Sequence, residues 1–272
     1  MKLKLGVITG FDLESFSRIK ELGFDTCQIG CWNSAIYTQK NAIELKEKAE
    51  KSNIEITALW VGWPGPAVWN FFEGPLTLGL VPLEYRYIRT EVLKKASEFA
   101  KILNVQNIIT HVGFIPENPN DSLYRSLIPV LCDIVSYLKN NNQFFNFETG
   151  QETPITLLRT IQNIQNMGLN NIGINFDPAN LLLYGKANPI DALDLLGKYV
   201  RGVHIKDGEY PTDGINIGRE KPVGEGRINF HELIKKLKDF NYKGVLTIER
   251  EILGPRQKKD IIKAKKLLLS ML

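Results

Sequence analysis

Four apolar runs in the second half of the chain each lead into a side chain that can hold a metal ion. Asn146-Phe147 leads into Glu148, Asn175-Phe176 into Asp177, Gly202-Val203 into His204 and Thr247-Ile248 into Glu249. One ionisable group closing one apolar run is common; four in succession, all able to ligate, imply a shared site. Three carboxylates aimed at one axis repel and resist ionisation, and the strand ends offer no Lys or Arg assigned to offset them. A divalent cation removes that conflict. Three carboxylates and an imidazole suit Mn2+, Mg2+, Co2+ or Zn2+, with Mn2+ favoured among them by the hard oxygen donors. Four protein ligands on an ion that prefers six leave room for two adjacent substrate oxygens, as in a hydroxy-ketone. Such an ion steadies an enediolate oxygen while a carboxylate removes the neighbouring C–H proton.

For these residues to meet, their strands must share a rim. Eight runs read as strands: Leu3–Ile8, Asp25–Ile29, Ile54–Trp60, Gln106–Thr110, Gln143–Phe147, Ile172–Phe176, Val200–Ile205 and Val245–Ile248. They are rich in Val, Ile, Phe and Leu and poor in charge, as strands covered on both faces should be. Segments with apolar residues three and four apart read as helices: Leu13–Leu22, Ala42–Ser52, Tyr85–Leu103, Ser122–Lys139, Ile155–Met167, Pro189–Leu196, Phe230–Phe240 and Lys258–Leu269. Gly23, Asn53, Asn104, Gly168 and Gly244 stand where helices should stop, and Asn229 where one should start. The alternation predicts a single (β/α)8 TIM barrel, an α/β fold filling residues 1–272 as one catalytic domain. An open doubly wound sheet would begin with a glycine-rich turn, and GVITGFD is not one.

Chemistry in a barrel collects at the C-terminal ends of the strands, which adds further candidates. His111 follows Thr110 and is either a polar pocket wall or a satisfied core histidine. Glu152 either meets a substrate hydroxyl or opens a helix, where the dipole favours a carboxylate. Lys206 shares the His204 side of the pleat and either holds a substrate oxygen or phosphate or pairs with Glu225 or Asp207. The segment Ile217–Arg227, with Arg219, is glycine-rich and basic, in a region where barrels often bind phosphate. The connection Val61–Arg86 is long enough to imply function. Its Trp63, Trp69, Phe71 and Phe72 predict an apolar lid or wall over the mouth, or a contact with a second subunit. His231 falls inside a helical pattern and reads as a surface or packing residue.

Composition excludes other classes. Lys plus Arg is 34 and Asp plus Glu is 30, for a net charge of +4, too mild for a nucleic-acid partner. No run has the roughly 18 apolar residues of a membrane helix, and the N-terminal run does not read as a signal peptide. The cysteines, Cys27, Cys31 and Cys132, read as reduced cytoplasmic thiols.

The runs ETGQETPITLL, NFDPANLLLYG, VHIKDG, PVGEG and LTIERE resemble those of the sugar phosphate isomerase/epimerase family, the barrels related to xylose isomerase. That group holds D-tagatose 3-epimerase-like ketose epimerases, inosose dehydratase-like lyases and hydroxypyruvate isomerase-like enzymes. The resemblance implies an isomerase or epimerase of a free or phosphorylated sugar, one divalent metal ion, and a possible homodimer or homotetramer. It implies Glu148, Asp177, His204 and Glu249 as metal ligands, with Glu148 and Glu249 also the catalytic acid/base pair. His111, Glu152, Asn180, Lys206, Arg219, Trp63 and Trp69 remain as substrate contacts. In ketose epimerases a His follows the Asp ligand by three residues; here Asn180 stands there, able to hydrogen-bond a hydroxyl but not to carry a proton. A dehydratase would use the same machinery. Endonuclease IV-like nucleases share the barrel but need many histidines, and this chain has three.

Overall fold

The computed structural model describes residues 3–12 and 14–272. Leu13, the expected start of the first helix, lies outside the described residues, as do Met1 and Lys2. Strands β1 Lys4–Gly10, β2 Thr26–Cys31, β3 Glu55–Val61, β4 Asn107–Thr110, β5 Phe144–Glu148, β6 Ile172–Phe176 and β7 Val200–Ile205 run parallel. Two-residue strands β8 Asp207–Gly208 and β9 Glu220–Lys221 follow as an antiparallel pair, and β10 Val245–Ile248 closes the barrel between β7 and β1. Each barrel strand lies within a few residues of its expected place.

Helices α1 Ser15–Glu21, α2 Gln39–Lys51, α4 Leu83–Ile102, α5 Ser122–Asn140, α6 Pro154–Asn166, α8 Pro189–Leu196, α9 Phe230–Asp239 and α10 Pro255–Leu269 occupy the expected segments. The one-turn α3 Gly74–Thr77 and the short α7 Pro178–Leu183 were not expected. Both are too brief to show a helical period. The stop signals hold at Gly23, Asn53, Asn104 and Gly168, all at positive φ. Gly244 is not among the positive-φ residues; Asn241, at φ 56°, turns the chain there. Asn229 caps α9, its side chain accepting from the Glu232 amide at 3.2 Å.

The pleat sorts the strand residues into two sets. Phe145 and Phe147 of β5, and Ile174 and Phe176 of β6, join the apolar layer under the helices. The alternate residues, Asn146 and Glu148 and then Asn175 and Asp177, face the barrel axis. Inside the barrel, Ile8, Ala58, Trp60 and Ile109 form a small apolar cluster on the β1, β3 and β4 side. The β5, β6, β7 and β10 side is polar instead, with buried Asn146, Asn175, His204 and Thr247.

Candidate metal centre and active site

Period-two alternation brings Glu148, Asp177, His204 and Glu249 to the C-terminal end of the barrel, from or just beyond the ends of β5, β6, β7 and β10. One ligand atom from each lies within 4.8 Å of the others, and all four residues are buried. The His204 Nδ1 is 2.9 Å from Glu148 Oε1, 3.3 Å from Glu249 Oε2 and 3.7 Å from Asp177 Oδ2. The Asp177 Oδ2 and Glu249 Oε2 atoms are buried without a hydrogen-bond donor. Three carboxylates and an imidazole nitrogen around one point form a donor set that fits a divalent cation.

Neighbours orient these ligands. Gln28 Oε1 lies 2.8 Å from His204 Nε2, which sets the ring to donate from Nε2 and turn its Nδ1 to the carboxylates. Trp60 Nε1 donates to Glu148 Oε2. Asp177 caps α7, Oδ1 accepting from the Asn180 amide at 3.0 Å, while its own amide donates to Thr149 Oγ1 at 2.8 Å.

Lys206 corrects two expectations. It pairs with neither Glu225 nor Asp207. Its Nζ lies 3.3 Å from Glu249 Oε2, 3.8 Å from Asp177 Oδ2 and 2.9 Å from Glu251 Oε2, and donates to Asn180 Oδ1 at 3.3 Å. The three carboxylates therefore do have an internal cation. Burial alone would raise the Glu249 carboxyl, but Lys206 and then His204 hold it well below the usual carboxylate range. Asp177 is raised by burial, with Lys206 opposing. Burial would lower His204, yet Glu249 and Glu148 keep it well above its ordinary value.

Asp207 is used elsewhere. Its carboxylate accepts from the amides of Gly208, Gly224, Gly226 and Ile228 at 2.8–3.2 Å. A Cβ on Gly226 would lie 2.1 Å from Asp207 Oδ1, so that turn admits only glycine. The glycine-rich segment Ile217–Arg227 is wound around a carboxylate of its own chain. Arg219 within it is exposed and makes no contact with the buried cluster. Glu225 pairs with Lys263.

The other rim candidates converge. His111 is buried, with Nε2 3.6 Å from Glu148 Oε2 and Nδ1 unpartnered. Glu152 does not open a helix on the surface. It is 3% exposed, its Oε1 has no partner, and burial pushes its carboxyl up to about 8. Asn180 reaches Glu148 Oε1 at 3.5 Å. Tyr184 and Gln151, unforeseen in the sequence, add a buried hydroxyl and a buried carboxamide without partners. His231 is exposed on α9.

The long connection after β3 covers this rim. Trp63 is buried and Trp69 half-buried, and with Trp32 and Trp60 they make an aromatic cluster with centroids 5.1–6.3 Å apart. Trp69 lies 5.4 Å from the His111 ring. Phe71 packs on Tyr184 at 6.4 Å, and its amide donates to Ile215 O at 2.9 Å. Asn70 bridges to Asn216, so two loops clasp each other. Phe72 is 76% exposed and forms no part of the wall expected of it. Arg89, on α4, ties the loop from beneath through hydrogen bonds to four of its carbonyls.

Several of these contributors left a faint signal. Gln28 is one amide inside the apolar run TCQIG, and Trp60 ends an apolar strand; neither type by itself marks a rim position. Arg86 and Arg89 sit on the same buried helical stripe as Leu93, Ala96 and Ala100, a stripe that reads as apolar when its period alone is counted.

Residues 16–270 match the model of the xylose isomerase-like TIM barrel family. A xylose isomerase domain protein from Planctomyces limnophilus is 33% identical, with a TM-score of 0.93 over 100% of this chain and 98% of that one. A D-tagatose 3-epimerase-like protein is 23% identical, with a TM-score of 0.73 over 99% and 97% of the two chains. An uncharacterized protein of Methanocaldococcus jannaschii is 26% identical over 93% of this chain and 82% of its own length. With the match running almost end to end, and the buried cluster at the C-terminal end of a closed eight-stranded barrel, the chain belongs to the xylose isomerase-like TIM barrel family.

Proposed function

We propose that this protein is a divalent-metal-dependent isomerase or epimerase of a sugar or sugar phosphate, with Mn2+ as the metal, acting in the cytoplasm. One observation carries the reading. Glu148 and Glu249 come from strands three places apart around the barrel, yet both lie against His204 in one buried cluster with Asp177. Two carboxylates facing one small volume from separate strands can remove a proton on one side of a substrate carbon and return one on the other. The bound ion supplies the positive charge that stabilises an enediolate.

The chain's own residues do the rest. Glu148, steadied by Trp60, and Glu249, steadied by Lys206, hold and move the proton. Asp177 and His204 hold the metal. Asn180 and Lys206 present donors to substrate oxygens. Glu152 is largely uncharged at neutral pH because its carboxyl is pushed up to about 8, so it offers an O–H as well as an acceptor. His111, Tyr184 and Gln151 present further unpartnered polar atoms. Trp63 and Trp69 lay aromatic faces along the C–H side of a sugar and keep out the water that would quench an enediolate.

Mn2+-loaded protein incubated with free and phosphorylated pentoses and hexoses in D2O tests this. An isomerase or epimerase exchanges deuterium into the carbon beside the carbonyl, read by NMR. Glu148→Gln and Glu249→Gln each remove at least about 100-fold of turnover. Isomerisation without exchange points to a hydride shift and overturns the carboxylate pair. Release of water from the sugar places the protein with the dehydratases, which the same cluster would serve.

A further inference from the structure

The opposite end of the barrel carries polar groups that this chemistry does not use. At the N-terminal mouth a cavity of about 300 Å3 opens among β1, β2, β3, β4, β5, β7 and β10. Three basic side chains line it, Lys4, Arg201 and Lys243, against a single acid, Glu55. Lys4 pairs with that Glu55 at 3.2 Å, which leaves the other two cations to face the opening. The Arg201 guanidinium stacks on Phe144 with its carbon 3.3 Å from the ring centroid, and its Nε reaches the neutral Asn107 Oδ1 at 3.4 Å. An adjoining hollow of about 400 Å3 shares Arg201, adds Lys198 and has no acidic lining residue.

The inner wall is shaped for polar contact. Asn146 is 1% exposed. It lines the cavity and donates through Nδ2 to Asn107 Oδ1 at 3.0 Å, while its Oδ1 has no donor. A Cβ on Gly173 would lie 2.7 Å from that Oδ1 and 2.5 Å from Arg201 Cδ, so the glycine makes room for both side chains at once. Barrel interiors are ordinarily filled here by branched aliphatic side chains. A buried acceptor without a donor is a cost that a ligand hydroxyl removes, and unpaired basic side chains at the same opening suit a phosphate, most of all through the planar guanidinium.

We propose that this mouth is a second ligand site, for a phosphorylated polyol. The phosphate sits on Arg201 and Lys243, and a hydroxyl donates to Asn146 Oδ1. The site backs onto the metal centre through Gln28, whose side chain lines the cavity and whose Oε1 faces His204. It does not depend on the reaction proposed above.

Calorimetric titration with ribose 5-phosphate, ribose and inorganic phosphate tests the proposal, on the wild type and on Arg201→Met, Lys243→Gln and Glu249→Gln. Ribose 5-phosphate should bind more tightly than either fragment. Its affinity should fall by at least about tenfold in Arg201→Met, and measurably in Lys243→Gln. The binding event lost in Arg201→Met should persist in Glu249→Gln, which alters only the upper site. Lys243 is exposed on a loop, so that variant keeps the test meaningful if Arg201→Met is poorly folded. Absence of binding, indifference to both basic substitutions, loss in Glu249→Gln, or equal affinity for inorganic phosphate would each overturn the proposal.

Discussion

Arg89→Met should release the cover over the candidate metal centre. Arg89 is 1% exposed, and no carboxylate pairs with it among the described residues. Its guanidinium donates to Pro64 O, Pro66 O, Thr77 O and Gly79 O at 2.6–3.2 Å, and lies 5.3 Å from the Trp63 ring and 4.6 Å from the Tyr85 ring. Burial pulls its ionisation down to about 10, so it stays charged at neutral pH. Hydrogen bonds to a charged group contribute about 1.5–3 kcal/mol each. Methionine keeps the length and apolar volume but supplies no donor. It also removes the cost of burying a charge, several kcal/mol, which offsets much of the gross loss. Gly65 and Pro66 are exposed, so the carbonyls on that side can turn to water. The inner carbonyls of Thr77 and Gly79 lose their donor at about 1–3 kcal/mol apiece. A net loss of about 3 kcal/mol follows, or a Tm lower by roughly 6 °C for a chain of this length. Thermal melts give the first number, and chymotrypsin digestion should show new cleavage near the exposed Phe72. Arg89→Lys keeps the charge with fewer donors and should fall between. A Tm within about 1 °C of wild type, with an unchanged digest, would refute this account of the loop.

Three further outcomes are expected. Gln28→Met leaves the His204 Nε2 without its acceptor, and Mn2+ affinity by titration calorimetry should drop by about 10–100-fold; an unchanged Kd means that Gln28 does not orient the ring. Metal removal by EDTA should lower the Tm, and Mn2+ at a hundredfold excess over its Kd should restore about 2.7 kcal/mol; a melt indifferent to both speaks against the site. Glu152 has a folded pKa of about 8 against an ordinary 4.5, so the folded state holds the extra proton between those values. Its contribution is present below about pH 4.5 and lost as pH rises through about 8. Glu152→Gln should flatten the decline in stability across that window; an identical pH profile would show that Glu152 is charged in the fold.

The barrel was legible because its signals are local and repeated. Eight short buried strands, each followed by a helical period, leave few other arrangements, and positive-φ residues such as Asn53 and Gly168 mark where the helices stop. The four candidate ligands were legible for the same reason: a strand end is a fixed place in a barrel, and an ionisable residue there must face its neighbours. What failed was pairing across long separations. Lys206 was placed on the correct face but with the wrong partners, because nothing near it in sequence says that Glu249 comes back beside it. Gln28 lies 176 residues from His204 and Trp60 lies 88 from Glu148, and a lone amide or indole in an apolar strand has no period to expose it. Arg89 was hidden because burial of a charge runs against the rule by which a core stripe is read. The segment Ile217–Arg227 left its role open in sequence because its glycines resemble an anion cradle; Gly224 and Gly226 do cradle a carboxylate, that of Asp207.

Lys206 also changes what a metal at this cluster would be for. Three converging carboxylates without a cation would need a metal for the fold itself. With Lys206 against Glu251, Glu249 and Asp177, and His204 held in its charged form by Glu249 and Glu148, the folded protein already places two positive groups among its carboxylates. The metal-free barrel is therefore expected to fold. Metal binding must then displace the His204 proton, since a ligating imidazole is neutral, and the Nδ1 freed is the atom that already faces Glu148 at 2.9 Å. Lys206 keeps its charge through that exchange and stays beside Glu249. This separates the two carboxylates by environment: Glu249 is held ionised by a fixed cation, while Glu148 is steadied by an indole N–H and, across 3.6 Å, by His111. In the proposed reaction, two carboxylates in unlike settings, one on each side of a small volume, would favour proton removal at one and proton return from the other.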